Sequence, residues 1–580
     1  MKTKPCKDQP PLTYIRQIWE NDTAFLHINF SSVESYNLSE NVSLKCCYQE
    51  IRRSTDPVEP DNKVDLTDCR YFNFKTQLSA TAEFLLVQCK KEENGSSTVI
   101  YKNAHAMLRR KPEVHKRIEE KLSNRKTIRK PINVLLIGVD SISRINLLRL
   151  MPKTAQHLHD SGWMELKGYN KIDSNTLPNL MAVLTGFNLS VTENVCEPKK
   201  QGKLNSCPIL WNNFRDQGYA TAYAEDYQII STFDYHKPGF ATPPTDHYFR
   251  PFVVGAENFL HEKKSGDKLC LGYQYYADFI YQYALDFAKE YKDKPYFGLF
   301  WTNSFSHEDI STPSSMDEYM RDYLIKLNNS GILNETIVVF FSDHGMRFGD
   351  ILKLVTGWYE ERLPLIFFSL PEWFKIEYPE FAKNLKVNAD RLTTPFDFHM
   401  TLNHILSLSA DSNNTNDKKY AELMCPKSQS LFHEIPSNRS CNDACIPEHW
   451  CACKPYENFN KSSLIIKNAV NFAIQKMNQD LIAYKKSHNA TERYSNKCAE
   501  LKFKEVIRAS ILKLPGQNFT HYRAAFVVSP SDGEFDFTVK HDDKKDRFEL
   551  AGDISRINRY NDQGKCIQDI RLIKYCYCEK

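Results

Sequence analysis

From Ile132 to Val139 the chain is almost continuously apolar, and the run ends on an acid, Asp140. A strand with one wet face alternates apolar and polar side chains. A uniform run therefore belongs to a strand covered on both faces, as at the centre of a parallel sheet. Similar runs recur at Tyr296–Trp301, Thr336–Phe341 and Leu363–Phe368, with helical patterns between them. This alternation predicts an α/β fold over residues 129–410, with a mostly parallel central sheet flanked by helices. None of the runs approaches the roughly 20 residues of a membrane span, so no transmembrane segment is expected in this chain.

The flanks have a different character. Residues 1–128 carry short alternating runs (Tyr71–Phe74, Glu83–Val87) among turns and cysteines, which predicts a disulfide-held, β-rich N-terminal domain. The basic stretch Arg109–Lys130 reads as a helix ending in a linker, its charge a solvated face. The polar segment Asp411–Lys419 marks a second boundary, so 411–580 is expected to be a cysteine-rich α+β domain with a helix near 462–486 and a β-like tail. With 76 basic against 72 acidic residues and no basic run interleaved with aromatics, nucleic-acid binding is excluded.

The chain has 17 cysteines. The series Cys441, Cys445, Cys451, Cys453 lacks the paired spacing of a structural zinc site, so disulfides are expected, with an odd thiol left over. Thirteen N-x-S/T triplets accompany them, at Asn21, Asn29, Asn37, Asn41, Asn94, Asn188, Asn328, Asn334, Asn413, Asn438, Asn460, Asn489 and Asn518. Cysteines and sequons together predict a secreted, extracellular or lumenal protein bearing N-linked glycans. The opening residues have no apolar segment of a signal peptide, and the expectation is that the chain starts after a removed signal or anchor.

Ligands in an α/β sheet gather at the carboxyl ends of strands. Asp140 ends one apolar run, and Asp343 and His344 follow another. Carboxylates and an imidazole on rigid strand ends suit a divalent metal, although Asp140 alone is also a fitting helix cap and Asp343-His344-Gly345 a fitting turn. Thr176, just ahead of Pro178 and an apolar helix, is either a cap or a hydroxyl held at a helix N-terminus, where an oxyanion is favoured.

The stretches 134–144, 168–186 (with Thr176-Leu177-Pro178), 218–227, 303–309 and 340–350 (with Asp343-His344-Gly345) resemble the alkaline phosphatase/sulfatase superfamily, and within it the animal secreted sulfatase-like DUF229 family. The resemblance implies an alkaline phosphatase-like fold and a catalytic divalent metal on Asp140, Thr176, Asp343 and His344. Zn²⁺ is the first choice, as one or two ions, with Mn²⁺ or Ca²⁺ as alternatives. Thr176 becomes the nucleophile, and His307 a leaving-group or second-metal histidine. Glu225 and Asp226, with His307 and His399, are candidates for a second metal or a substrate head group. For Asp397 and His399 a capping or packing role is the simpler reading, and Arg144 either clamps a phosphate or pairs with Asp173.

True sulfatases carry a Cys or Ser that becomes formylglycine, followed two residues later by Pro-Ser-Arg. Here Thr176 cannot be converted, Leu180 stands where the arginine would be, and Asp226 where a lysine would be. The expected function is thus a metal-dependent phosphoester hydrolase or transferase acting on a phosphodiester with a small head group on a glycan, lipid or small molecule. A non-catalytic binding protein on the same fold is the alternative, and a sulfatase a weaker one.

Overall fold

The apolar runs form one seven-stranded sheet ordered Met164–Glu165, Ile366–Ser369, Thr336–Phe341, Asn133–Val139, Tyr296–Thr302, Ala220–Glu225, His247–Tyr248. The computed structural model describes residues 5–36, 43–93, 95–125, 129–260, 269–409, 420–487, 498–513, 518–567, 569 and 571–579. Asn133–Val139 lies at the centre, parallel to Thr336–Phe341 on one side and to Tyr296–Thr302 on the other. Every residue of these three strands is buried, which is why they lack alternation. Ile366–Ser369 runs antiparallel to Thr336–Phe341, so the last apolar run departs from the parallel pattern while the sheet stays mostly parallel.

Alternate residues of the central strand feed two cores. Leu135, Ile137 and Val139 pack with Phe287 of the helix Tyr276–Glu290, and Val134 and Leu136 pack with Leu180 and Val183 of the helix Thr176–Thr185. Gly138 lies over Trp301, whose ring would stand 1.9 Å from an added Cβ.

Two antiparallel sheets precede this layer, one on Thr13–Ile18 and Thr23–Ile28, the other on Ser43–Arg53, Phe84–Glu93 and Ser96–Ala106. Ile51, Phe84 and Leu86 continue into the same core as Leu135. The basic stretch forms the helix Pro112–Ser123, and its Arg117 forks onto Asp246 at 2.6 and 2.8 Å, so part of that face is an ion-pair contact rather than solvated. The C-terminal part is an antiparallel sheet of Glu457–Asn458, Lys502–Lys513, Phe519–Ser529, Gly533–Asp542 and Arg547–Arg556 in chain order, packed against the helix Leu464–Ser487. The tail near Cys578 contributes one bridge to Cys498 and, among the described residues, no strand.

Residues 126–128 of the expected linker, the segment Asp411–Lys419, and Asn37, Asn41, Asn94, Asn413 and Asn489 lie outside the described residues. Of the remaining sequon asparagines, Asn21, Asn188, Asn328, Asn334, Asn438, Asn460 and Asn518 are exposed and Asn29 is half-buried. No helix among the described residues is long and apolar enough to cross a membrane.

Sixteen cysteines pair as Cys6–Cys270, Cys46–Cys89, Cys47–Cys69, Cys196–Cys207, Cys425–Cys445, Cys441–Cys451, Cys498–Cys576 and Cys566–Cys578. The odd thiol is the exposed Cys453. Titration of the native protein with a thiol reagent is expected to find one reactive group per chain, and three or more would contradict this pairing.

Candidate metal and nucleophile site

The carboxyl ends of neighbouring parallel strands bring three side chains together. Asp140, Asp343 and His344 are buried and offer ligand atoms that all lie within 4.8 Å of one another. His344 Nε2 stands 3.1 Å from Asp343 Oδ2 and 3.7 Å from Asp140 Oδ1. Among the described residues, Asp140 Oδ2, Asp343 Oδ2 and His344 Nε2 make no hydrogen bond, so the short approach is between lone pairs aimed at a common point.

The other atoms of these groups are tied down. Asp140 Oδ1 accepts from the Ser141 hydroxyl at 2.7 Å, and Asp343 Oδ1 accepts from the backbone N–H groups of Ser141 and His344 at 3.2 and 2.9 Å. Ser141 reaches both by adopting a left-handed φ of 61°, a strain of about 1–3 kcal/mol of the kind that gathers at functional sites. His344 Nδ1 lies 2.8 Å from the Gly345 carbonyl. A carbonyl only accepts, so the proton sits on Nδ1 and the Nε2 lone pair faces the two acids. Gly345 is required where it stands, because an added Cβ would lie 2.2 Å from the Glu360 carbonyl oxygen.

Burial pushes the Asp343 carboxyl well above the usual range, and the neighbouring Asp140 adds to this. Burial, then the charges of Arg347 and Lys171, hold the His344 imidazole neutral, well below its ordinary value. Two buried acids with orphaned oxygens beside a neutral imidazole form an oxygen–nitrogen set that fits a divalent cation.

Thr176 is the first residue of its helix; Asn175 occupies the N-cap position, but its side chain makes no capping bond among the described residues. The Thr176 side chain lies beside the Asp343 carboxylate and favours the charged form. The loop before it is held by the buried Asn179, whose Oδ1 accepts from Ile172 N–H at 2.9 Å while Nδ2 donates to the Asp173 and Asn175 carbonyls at 3.0 and 2.8 Å. Lys171, fully buried, binds Glu361 at 2.7 Å and lies over Trp450, which couples the loop to the C-terminal part. Asn179→Ala is expected to destabilise the fold by about 1–3 kcal/mol by orphaning these backbone groups, read as a lower urea midpoint; an unchanged midpoint would deny Asn179 this role.

The remaining sequence candidates lie around this cluster or away from it. His307 follows the strand Tyr296–Thr302, and its Nδ1 is 2.8 Å from Glu308, which also meets Arg559 at 3.0 Å. His307 acts electrostatically on His344. Asp226 accepts the N–H groups of Asn303 and Ser304 at 2.6 and 3.3 Å, while Glu225 accepts from Thr232 N–H, the Asn303 amide and the Tyr223 hydroxyl. Both acids are raised to about 7 by burial. These bonds tie loops together, and the structure does not bring either acid into the Asp140–Asp343–His344 cluster. His399 packs at the opposite end of the Thr176 helix, with Nδ1 2.9 Å from the Val183 carbonyl and Nε2 2.9 Å from the Asn403 amide. Asp397 caps its helix through Thr394 N–H at 2.9 Å and pairs with Arg439. Arg144 pairs with Glu165 at 2.7 Å, not with Asp173.

A cavity of about 880 Å³ opens beside the nucleophile position. Ser174, Asn175 and Leu177 line it around Thr176, and Tyr484, Asp553 and Lys574 line it from the C-terminal part.

The family model described as "Protein of unknown function (DUF229)" matches residues 1–507. The chain belongs to the DUF229 family. No curated protein matches this DUF229 chain. Among solved structures, it is similar to the lipoteichoic acid synthase LtaP from Listeria monocytogenes (14% identity, 60% of this chain and 89% of that one, TM-score 0.35). It is also similar to an alkaline phosphatase superfamily protein from Vibrio parahaemolyticus (12%, 76% and 90%, TM-score 0.35). A third is the phosphonate monoester hydrolase SpPMH from Silicibacter pomeroyi (10%, 71% and 89%, TM-score 0.37). At these scores the likenesses carry no argument about the chemistry of the DUF229 chain.

Sequence reasoning passed over Ser141, Asn179 and the Lys171–Glu361 pair. A polar residue directly after an apolar strand's terminal acid is the one sequence signal for Ser141. The other contacts join segments distant in sequence, and no local pattern announces them.

Proposed function

We propose that the chain is a secreted or lumenal, divalent-metal-dependent phosphoester hydrolase or transferase with Thr176 as its nucleophile. The convergence of three orphaned ligand atoms on Asp140, Asp343 and His344 next to the Thr176 hydroxyl supports this reading. When bound, a cation such as Zn²⁺ supplies charge neutralisation for the ester oxygens and lowers the pKa of a hydroxyl beside it. Asp140, Asp343 and His344 are the residues that would hold it, with His344 kept in the correct tautomer by Gly345.

Thr176 Oγ gives up its proton to solvent water and attacks the phosphorus in line; the bond to the leaving alkoxide breaks as the new O–P bond forms. The free N–H groups at the start of its helix favour the anionic oxygens. His307, oriented by Glu308, is assigned the proton that the leaving oxygen takes up. Water, or an acceptor alcohol in a transferase, then attacks the phosphothreonine and restores Oγ. A phosphodiester carrying a small head group on a glycan or lipid suits the 880 Å³ cavity. The sulfatase reading loses ground because Leu180 is packed in the apolar core and Asp226 is tied to backbone N–H groups, so neither position provides a cation.

The test is elemental analysis of the purified chain beside turnover of bis-aryl phosphodiester, aryl phosphate monoester and aryl sulfate. Bound metal with phosphodiester turnover is expected. Turnover of the sulfate alone would mark a sulfatase, and no metal and no turnover after Zn²⁺ or Mn²⁺ is added would leave a binding protein.

A further inference from the structure

Four cations that line the cavity beside Thr176 form no ion pair among the described residues: the exposed Lys199, Arg556, which donates to Asn558, Gln563 and the Lys574 carbonyl, and the pair Lys237 and Arg347. Lys237 is 9% exposed, and its Nζ donates to the Tyr235 carbonyl at 2.7 Å. Among the described residues it forms no ion pair. The acids that act on it are engaged elsewhere: Asp234 faces Arg250 at 3.6 Å, and Glu225 is bonded to Thr232 and Asn303. Arg347, three residues past His344, lies over the Phe348 ring and likewise makes no hydrogen bond or ion pair among the described residues.

The acids on the cavity wall are already matched. Glu361 pairs with Lys171 and Arg362, Asp553 with Lys574, Asp480 with Lys476, and Glu193 and Asp569 share Arg571. Asp173 has no such partner, but burial pushes its carboxyl toward the neutral form. A buried ammonium without a counter-ion is costly, and burial lowers Lys237 to about 8. A cavity that keeps Lys237 and Arg347 unbalanced, with Lys199 and Arg556 also free of ion pairs among the described residues, while its acids are matched or neutralised, is prepared to receive negative charge from outside.

We propose that Lys237 and Arg347 clamp the non-bridging oxygens of a tetrahedral oxyanion in this cavity. Arg347 provides a planar fork for two oxygens and Lys237 a point charge for a third. The proposal deepens the phosphoester reading and rests on it for the identity of the anion's carrier, but the binding itself does not require turnover.

The experiment is calorimetric titration of the full chain with inorganic phosphate and, separately, with sulfate, using wild type, Lys237→Met, Arg347→Gln and Thr176→Ala. Phosphate is expected to bind wild type and Thr176→Ala alike, and each cation variant to lose about tenfold or more in affinity. Lys237→Met is also expected to melt no lower than wild type without phosphate, because an unpaired buried charge has been removed. Whichever anion binds more tightly names the oxyanion the clamp prefers. No binding of either anion to wild type, or affinity unchanged in either cation variant, overturns the clamp. Anion binding lost in both variants while wild type turns over no ester leaves the clamp standing and defeats the nucleophile assignment. Turnover by wild type with undiminished phosphate binding in the variants does the reverse.

Discussion

Thr176→Ala is expected to lower turnover of a bis-aryl phosphodiester by about four orders of magnitude or more, the scale seen when a nucleophile is removed from a covalent mechanism. The same variant is expected to fold normally. Thr176 lies inside the helix, one residue past the N-cap position, so no cap is lost with its hydroxyl, and Asn179 holds the preceding loop without help from the Thr176 hydroxyl. Thr176→Ser keeps the oxygen and is expected to retain measurable activity, which separates loss of the nucleophile from disturbance of the loop. Activity within tenfold of wild type in the alanine variant would remove Thr176 from the chemistry.

The second large effect is expected at Asp343, with opposite signs for activity and stability. Asp343→Asn should abolish turnover and the rise in melting temperature that Zn²⁺ or Mn²⁺ gives wild type, yet the metal-free variant should melt higher than metal-free wild type. Burial and Asp140 hold the folded-state pKa of Asp343 above its ordinary value. At pH below the ordinary carboxylate range, both folded and unfolded chains carry the proton and no penalty arises. As pH rises through the unfolded value the unfolded chain ionises first, so metal-free stability falls until the folded group ionises too. Asparagine removes that slope, and for a chain of 580 residues each kcal/mol of relief corresponds to roughly 1 °C. Melting curves across pH, with and without chelator, read the difference directly. A slope identical in wild type and variant would mean that Asp343 is not the strained acid.

The central sheet was legible because full burial leaves a signature in one strand at a time: Val134 to Val139 and Ile337 to Phe341 are apolar without interruption. Their terminal acids, Asp140 and Asp343 with His344, could be singled out for the same reason, since a charged residue ending such a run stands out locally. The antiparallel turn of Ile366–Ser369 was not legible, because strand direction is set by the path of the connecting chain and leaves the composition of the strand unchanged. Glu225 and Asp226 stood as candidates for a second metal or a substrate head group, and His399 as a packing residue first and a ligand second. The structure engages them with Thr232, Asn303, Val183 and Asn403, partners that no spacing in the sequence reveals. Of the two readings open for Thr176, the cap fails by one residue, since the helix starts on Thr176 and Asn175 takes the N-cap position.

The bond between Cys6 and Cys270 spans 264 residues. At ribosomal speeds of about 5–20 residues per second, the first cysteine of the chain waits roughly 10–50 seconds before its partner has even been made. Cys46, Cys47, Cys69 and Cys89 are all made within that interval and are chemically eligible well before Cys270. The N-terminal sheet therefore has to select its own pairs while one thiol is kept in reserve. This chain should consequently depend on disulfide isomerisation more heavily than its short-range bridges alone would suggest.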